Sequence, residues 1–98
     1  MKVLILEKNL LMLSRIRSSL GEYEVKAGED YGGEDVVFIN LEAYPVEKIK
    51  EYKSAGAKVV AYCGHKNLEL MQRAGEMGAD LVVPNSRVVQ AKELLGEL

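Results

Sequence analysis

Short apolar runs alternate along the chain with longer segments in which apolar residues recur at helical spacing. Uninterrupted runs such as VLIL and VVFI are typical of strands buried on both faces of a parallel sheet. The alternation predicts the order β-α-β-β-α-β-α-β-α and a parallel sheet with helices on both faces. The five predicted strands are residues 3–6, 23–27, 36–39, 58–62 and 81–83.

Residues that begin or end helices flank the amphipathic segments. Asn9 and Asn67 stand at N-cap positions, and Pro45 suits a first helical turn. Gly21 is expected to supply a left-handed stop for the first helix. Four helices are predicted. The first follows Asn9 and ends at Gly21, the second runs from Pro45 to near Gly56, the third follows Asn67 and ends at Gly78, and the fourth starts at Ser86. The third helix should turn Leu68, Met71, Ala74 and Met77 inward, and the last should carry Val88, Ala91, Leu94, Leu95 and Leu98.

The connection between the second and third predicted strands is too short for a helix. It has about seven residues, 28–34, whereas a parallel crossover normally needs a dozen or more. Seven extended residues reach at most about 25 Å, barely enough to return along a strand and cross one neighbour. We therefore predict that this crossover has lost its helix or keeps one turn at most. One face of the sheet should then be thinly covered.

Composition excludes several classes of protein. The chain has 98 residues, which suits one small domain, and its formal net charge of −2 offers no basic face for nucleic acid. One cysteine and one histidine make neither a disulfide nor a zinc site. Because no signal peptide or membrane-length apolar run is present, we expect a cytoplasmic protein that binds neither membrane nor nucleic acid. Lys and Glu dominate the charged residues, a bias seen in proteins of thermophiles.

Polar residues follow four of the predicted strands. They are Glu7-Lys8, Asn40, Cys63 and Asn85. Because the carboxyl ends of parallel strands meet at one edge of a sheet, where α/β folds build their sites, we expect these residues to lie together. Metal-assisted phosphoryl chemistry needs clustered carboxylates, and only Glu7 is one.

The order of elements resembles the receiver domain of two-component response regulators, the CheY-like family. The matching segments are residues 2–20, 35–41, 58–64 and 78–86, and the turn Gly78-Ala79-Asp80 before the last strand is the most telling piece. The spacing of 22 residues between Cys63 and Asn85 fits the family without a gap. The resemblance implies a single domain over residues 1–98. It also implies a flavodoxin-like three-layer sandwich whose five-stranded parallel sheet has the order 2-1-3-4-5.

In such receivers an acidic pair after strand one and an Asp after strand three hold magnesium. That Asp accepts a phosphoryl group from a histidine kinase, and a Thr or Ser after strand four and a Lys after strand five contact the group. The resemblance places the acidic pair at Glu7 and Lys8, the acceptor at Asn40, the hydroxyl at Cys63 and the Lys at Asn85. Only Glu7 keeps its chemical type. The position of the aromatic switch residue in strand five is Val82.

These replacements predict a degenerate pseudo-receiver. An Asn carboxamide is a poor nucleophile, and a site with one carboxylate does not attract magnesium. We therefore expect no catalytic residue, no metal and no cofactor, and we expect that the protein is not an enzyme. Asn40 is interpreted as a structural residue hydrogen-bonded to nearby loops. Glu7 and Lys8 should neutralise each other, or Lys8 should act as a fixed cation where the metal would sit.

The predicted function is a stand-alone, unphosphorylated signalling domain that acts through protein contacts. Because the chain stops at Leu98, no output domain is expected. The partner would be a histidine kinase or another signalling protein, or a second copy of the chain that covers the face left by the missing helix. Receivers present helix four, strand five and helix five to partners. The matching surface residues are Leu68, Met71, Val82, Val88 and Leu95.

Two alternatives stay open at the sequence level. The first is a small-ligand-binding or enzymatic domain of flavodoxin-like fold that uses the strand edge around Asn40, Cys63 and Asn85, with phosphate, nucleotide or corrinoid as ligand classes. A reactive thiol belongs to this alternative, because Cys63 precedes a helix N-terminus that can lower a thiol pKa. The second is residual acyl-phosphate chemistry at Glu42.

Overall fold

The five predicted strands form one parallel sheet. In the computed structural model, which describes residues 1–98, the strands are β1 (Lys2–Leu6), β2 (Glu24–Ala27), β3 (Val36–Asn40), β4 (Lys58–Cys63) and β5 (Leu81–Pro84). Their order across the sheet is β2-β1-β3-β4-β5, and every neighbouring pair is parallel. The order 2-1-3-4-5 is confirmed.

Five helices cover the two faces of the sheet. They are α1 (Leu10–Ser19), α2 (Lys48–Ser54), α3 (Leu68–Glu76), α4 (Asn85–Val88) and α5 (Ala91–Leu95). One apolar core lies between the sheet and α2 and α3, and the other between the sheet and α1, α4 and α5. The three-layer sandwich is confirmed. None of these helices has the length and apolar character needed to span a membrane.

The central strands are buried on both faces, as their uninterrupted apolar runs predict. On β1, Leu4 belongs to the first core and Ile5 to the second, because side chains alternate between the faces of a strand. On β3, Val37 and Phe38 are divided in the same way. The edge strand β2 is mostly exposed, which explains its weak apolar pattern.

The crossover between β2 and β3 contains no helix, which confirms the prediction. The expected thin cover over the sheet is wrong. Tyr31 from this loop packs on Tyr52 of α2 with 5.6 Å between ring centroids, and both belong to the first core, in which Leu4 is fully buried. At the sheet edge, Lys26 of β2 forms an ion pair with the buried carboxylate of Glu34, 3.5 Å away. Because a tyrosine and an ion pair replace the helix, no bare apolar face is left to require a second copy of the chain.

The ends of the first three helices follow the sequence signals in part. Asn9 caps α1, and its Oδ1 accepts from the Met12 N–H at 3.0 Å. Gly56 and Gly78 have φ of 97° and 99°, as glycine stops require. Gly21 does not adopt a left-handed conformation, because α1 passes directly into a turn in which Tyr23 N–H donates to the Leu20 carbonyl.

Two other expectations about the helices are wrong. Asn67 precedes α3, but its side chain makes no capping hydrogen bond. Leu68 is 70% exposed rather than buried, because the inward face of α3 begins at Leu70.

The last predicted helix is divided into two. It breaks after Val88, and α5 begins again at Ala91. Val88, Ala91 and Leu94 are buried against the sheet and Leu95 is partly buried, which confirms these four inward positions although the helix is not continuous. Leu98 is wrongly included, because it lies beyond the end of α5 and is exposed.

Candidate functional site

The carboxyl edge of the sheet brings together three of the polar strand endings. Glu7, Asn40 and Asn85 line one pocket of about 290 Å³, together with Asn9, Leu11, Met12 and Arg15. Lys8 and Cys63 do not line it. Parallel strand ends and the start of α1 therefore build the site, as expected for this type of fold.

The carboxylate of Glu7 is buried and held by three donors. Asn40 Nδ2 donates to Oε1 at 2.9 Å and to Oε2 at 3.1 Å. The Tyr62 hydroxyl donates to Oε1 at 2.9 Å, and the Asn9 N–H donates to Oε2 at 3.0 Å. The side chain is only 6% exposed, so these bonds replace the water that a buried carboxylate would otherwise require.

Asn40 uses both ends of its amide. While Nδ2 donates to Glu7, Oδ1 accepts from the Glu42 N–H at 2.9 Å. A carboxylate can only accept and an N–H can only donate, so this orientation of the amide satisfies both neighbours. The geometry supports the interpretation of Asn40 as a structural residue.

Tyr62 is a member of this cluster that the strand endings did not indicate. It is fully buried and stands opposite Asn40 in the register of β3 and β4. Burial raises the pKa of Tyr62 far above its usual value, and the charge of Glu7 and the hydrogen bond to it raise it further. The phenol is therefore a permanent donor. A tyrosine within a buried strand needs a partner for its hydroxyl, which is the one sequence signal that could have found it.

Lys8 does not neutralise Glu7 by a direct ion pair. Its ammonium lies over the ring of Tyr44, 4.9 Å from the centroid. Such cation–π contacts hold a lysine against an aromatic face. The expectation that Lys8 replaces the metal as a fixed cation therefore finds no support in the geometry.

Cys63 is a buried thiol at the end of β4. Its Sγ donates weakly to the Asn67 carbonyl at 3.9 Å. Burial raises the pKa of the Cys63 thiol, and the negative charge of Glu42 adds to the rise. A protonated, buried thiol is a poor nucleophile, so the reactive-thiol alternative is not favoured.

Arg15 and Asn85 complete the wall of the pocket. Arg15 lies one helical turn beyond Leu11 on α1, which explains why both face the same opening. The Oδ1 atom of Asn85 is buried and has no hydrogen-bond partner. No other buried side-chain nitrogen or oxygen atom in the protein lacks a hydrogen-bond partner.

The residues at this edge do not fit a magnesium ion. Magnesium prefers several oxygen ligands in octahedral geometry, usually including carboxylates. Glu7 is the one carboxylate among the five strand-end positions, and its oxygens already accept the bonds described above. No cluster of three or more His, Cys, Asp or Glu side chains is placed to hold a metal anywhere in the protein.

The surface expected to meet a partner is exposed in part. Leu68 is largely exposed, and Met71, Val82 and Leu95 are half-buried. Val88 is wrongly assigned to this surface, because it is the last residue of α4 and its side chain is fully buried in the second core. The four remaining residues belong to α3, β5 and α5.

Several solved structures with a similar fold are response regulators. A response regulator from Thermotoga maritima has a TM-score of 0.80 and 13% identity, with 98% of this chain and 94% of that chain covered. The phosphorylated cyanobacterial phytochrome response regulator RcpA has a TM-score of 0.78 and 16% identity, with 98% and 91% covered. An orphan response regulator of H. pylori has a TM-score of 0.75 and 23% identity, with 100% and 96% covered.

These likenesses show that the chain has the fold of response regulator receiver domains. No family model and no curated protein matches the sequence. What the domain does must therefore be argued from its own residues.

Proposed function

We propose that residues 1–98 form a receiver-like signalling domain that is not phosphorylated, is not an enzyme and acts through protein contacts in the cytoplasm. The observation that carries this proposal is the bond between Asn40 and Glu7. In a receiver these two positions cooperate to hold magnesium and accept a phosphoryl group. Here the Asn40 amide donates to both oxygens of Glu7 at 2.9 and 3.1 Å.

The chemistry of the site supports this proposal. A carboxamide nitrogen shares its lone pair with the carbonyl, so Asn40 lacks the nucleophilic oxygen pair of an Asp. Asn85 is neutral where a receiver places a Lys, so the charge that would stabilise a transferred phosphoryl group is also missing. The Tyr62–Glu7–Asn40 cluster is instead a set of satisfied hydrogen bonds that stabilises the edge of the sheet.

A titration with a phosphoryl analogue tests the proposal. The protein, labelled with ¹⁵N, is mixed with magnesium and either beryllofluoride or acetyl phosphate, and a phosphorylatable receiver serves as the positive control. We expect the control to respond and this protein to show no saturable shifts. Saturable shifts clustered at Glu7, Asn40 and Cys63 would refute the proposal, since they would show that the edge still binds the phosphoryl group.

The proposed partner surface consists of Leu68, Met71, Val82 and Leu95. Leu68 is a large exposed leucine on the same helix as the half-buried Met71, and an exposed apolar side chain of this size suits a protein contact. Met71 and Val82 pack on one face of the sheet and Leu95 on the other, so the surface would extend around the edge at β5. The partner would be a histidine kinase, another signalling protein or a second copy of the chain. Because the crossover loop covers its own face of the sheet, a second copy of the chain would bind this surface rather than that face.

Paired leucine variants test the surface. Leu68 and Leu10 are 70% and 79% exposed, so Leu68→Asp and Leu10→Asp change equally accessible residues in different helices. Pairwise binding to histidine kinase domains, and self-association measured by sedimentation, should be weakened by Leu68→Asp alone. Equal effects of the two variants, or no effect of Leu68→Asp on any association that is found, would contradict this placement.

A further inference from the structure

The pocket at the sheet edge contains polar groups that the protein itself leaves without partners. The buried Oδ1 of Asn85 accepts no hydrogen bond. The guanidinium of Arg15 forms no ion pair and no hydrogen bond within the protein, although both residues line the same pocket. Asn9 uses its Oδ1 to cap α1, and its Nδ2 remains free. This concentration of unused groups differs from the saturated cluster around Glu7.

The unpartnered atom of Asn85 indicates what one end of a ligand must carry. Native folds leave few buried polar atoms without hydrogen bonds, because each costs the free energy of lost hydration. A carbonyl oxygen can only accept, so its missing partner is a donor. Glu7 also lines the pocket, and although its oxygens already accept hydrogen bonds, its negative charge favours a donor over an acceptor in the ligand.

Arg15 indicates what the other end must carry. A guanidinium is always charged, and its planar set of N–H groups matches a carboxylate in a bidentate pair. With no acidic residue paired to it in the protein, Arg15 is available for such a contact. Leu11 and Met12 supply the apolar part of the pocket lining.

We propose that this pocket binds a small organic acid that also carries an N–H donor, with its carboxylate at Arg15 and its donor at Asn85. A volume of about 290 Å³ holds roughly ten non-hydrogen atoms, if each occupies about the 30 Å³ of a water molecule. The site needs neither a metal nor phosphoryl transfer. It therefore does not depend on the proposed signalling function, and either can fail without the other.

A matched set of probes tests the two ends separately. Succinamate carries both a carboxylate and an amide donor, monomethyl succinate lacks the donor, and succinamide lacks the carboxylate. 4-Aminobutyrate presents an ammonium as the donor. Each is titrated into the ¹⁵N-labelled protein up to about 10 mM, a range that detects dissociation constants near 1 mM. We expect succinamate or 4-aminobutyrate to saturate shifts at Leu11, Arg15 and Asn85, and both truncated probes to bind more weakly.

Three variants then assign the contacts. Arg15→Gln should weaken binding about tenfold or more, since it removes a charged hydrogen-bonding partner. Asn85→Ala should abolish the preference for succinamate over monomethyl succinate. Arg17→Gln is the matched control, because it removes the same charge from the same helix but lies outside this pocket, and binding should be unchanged.

Three results would overturn the inference. The first is that none of the probes binds. The second is equal weakening by Arg15→Gln and Arg17→Gln, which would show that only the net charge matters. The third is saturable binding that is insensitive to Arg15→Gln, which would place the ligand elsewhere.

Discussion

The hydroxyl of Tyr62 donates a 2.9 Å hydrogen bond to Oε1 of Glu7, joining the ends of two strands that are 55 residues apart in the chain. Both side chains are buried, and β3 lies between their strands in the sheet. The bond gives the Glu7 carboxylate a partner from the protein at a position where the receiver family uses a metal. The stability of this fold should therefore depend on a tyrosine within a strand.

Removing that hydroxyl should destabilise the protein. Tyr62→Phe keeps the ring and leaves a buried carboxylate with one donor fewer, which should lower the free energy of unfolding by about 1–3 kcal/mol. Urea unfolding at neutral pH measures the change. Tyr23→Phe is the matched control, because the hydroxyl of Tyr23 makes no hydrogen bond in the protein, and its effect should stay within about 0.5 kcal/mol. Equal losses in the two variants would contradict a special role for the Glu7 bond.

Restoring an acidic residue at Asn40 should also be costly. Asn40→Asp replaces a donor to Glu7 by a second carboxylate at about 3 Å, so the free energy of unfolding should fall by about 2 kcal/mol or more. Magnesium should recover part of the loss in the variant and leave the original protein unchanged, because two carboxylates recreate a cation site. The measurement is urea unfolding with and without magnesium.

Asn67→Asp provides the control for this change. Asn67 is exposed, its side chain makes no capping bond, and it follows β4 at the same edge of the sheet. The same change in charge should therefore cost little there and respond little to magnesium. If Asn40→Asp were as stable as the original protein without magnesium, the proposed role of the Asn40 amide would be wrong.

The sequence predicted the elements of this fold better than the contacts at its site. Uninterrupted apolar runs mark β1, β3 and β4 because both faces of these strands are buried. Helix ends were found where Gly56 and Gly78 require a left-handed backbone. Nothing in the residues around Val89 signals the break between α4 and α5, since the apolar spacing continues through it.

The site was harder to predict because it depends on register and helix phase. Tyr62 joins Glu7 because β3 and β4 pair in a register that sets Asn40 opposite Tyr62. Arg15 reaches the pocket because of the rotation of α1 about its axis. Strand register and helix rotation are tertiary properties. The strand endings therefore identified Glu7, Asn40 and Asn85 but did not identify Tyr62 or Arg15.

The loop that replaces a helix should be stabilised by one aromatic side chain. Tyr31→Ala removes the ring packed on Tyr52 and should lower the free energy of unfolding by about 2 kcal/mol. Tyr31→Phe keeps the ring and loses only the 2.9 Å bond from its hydroxyl to the Glu34 carbonyl, so it should cost about 1 kcal/mol or less. Thermal and urea unfolding measure both. Equal losses would show that the hydrogen bond, not the packing, holds the loop.

The turn Gly78-Ala79-Asp80 should make stability depend on pH through Asp80. Burial alone would raise the pKa of this carboxyl. The Val59 N–H at 2.7 Å and the Lys53 ammonium at 2.9 Å outweigh burial, so the pKa of Asp80 in the folded protein is lowered. Folding thus favours the ionised form of Asp80. Its contribution to the free energy of unfolding is present above the unfolded pKa of about 3.9 and is lost as the pH falls through the folded value.

Asp80→Asn should therefore lower the urea midpoint at pH 7, and the difference in midpoint from the original protein should become smaller in acid. Asp30→Asn, at an exposed residue without an ion pair, should leave the midpoint unchanged at both pH values. A stability gap for Asp80→Asn that stays constant down to strongly acidic pH would contradict this assignment.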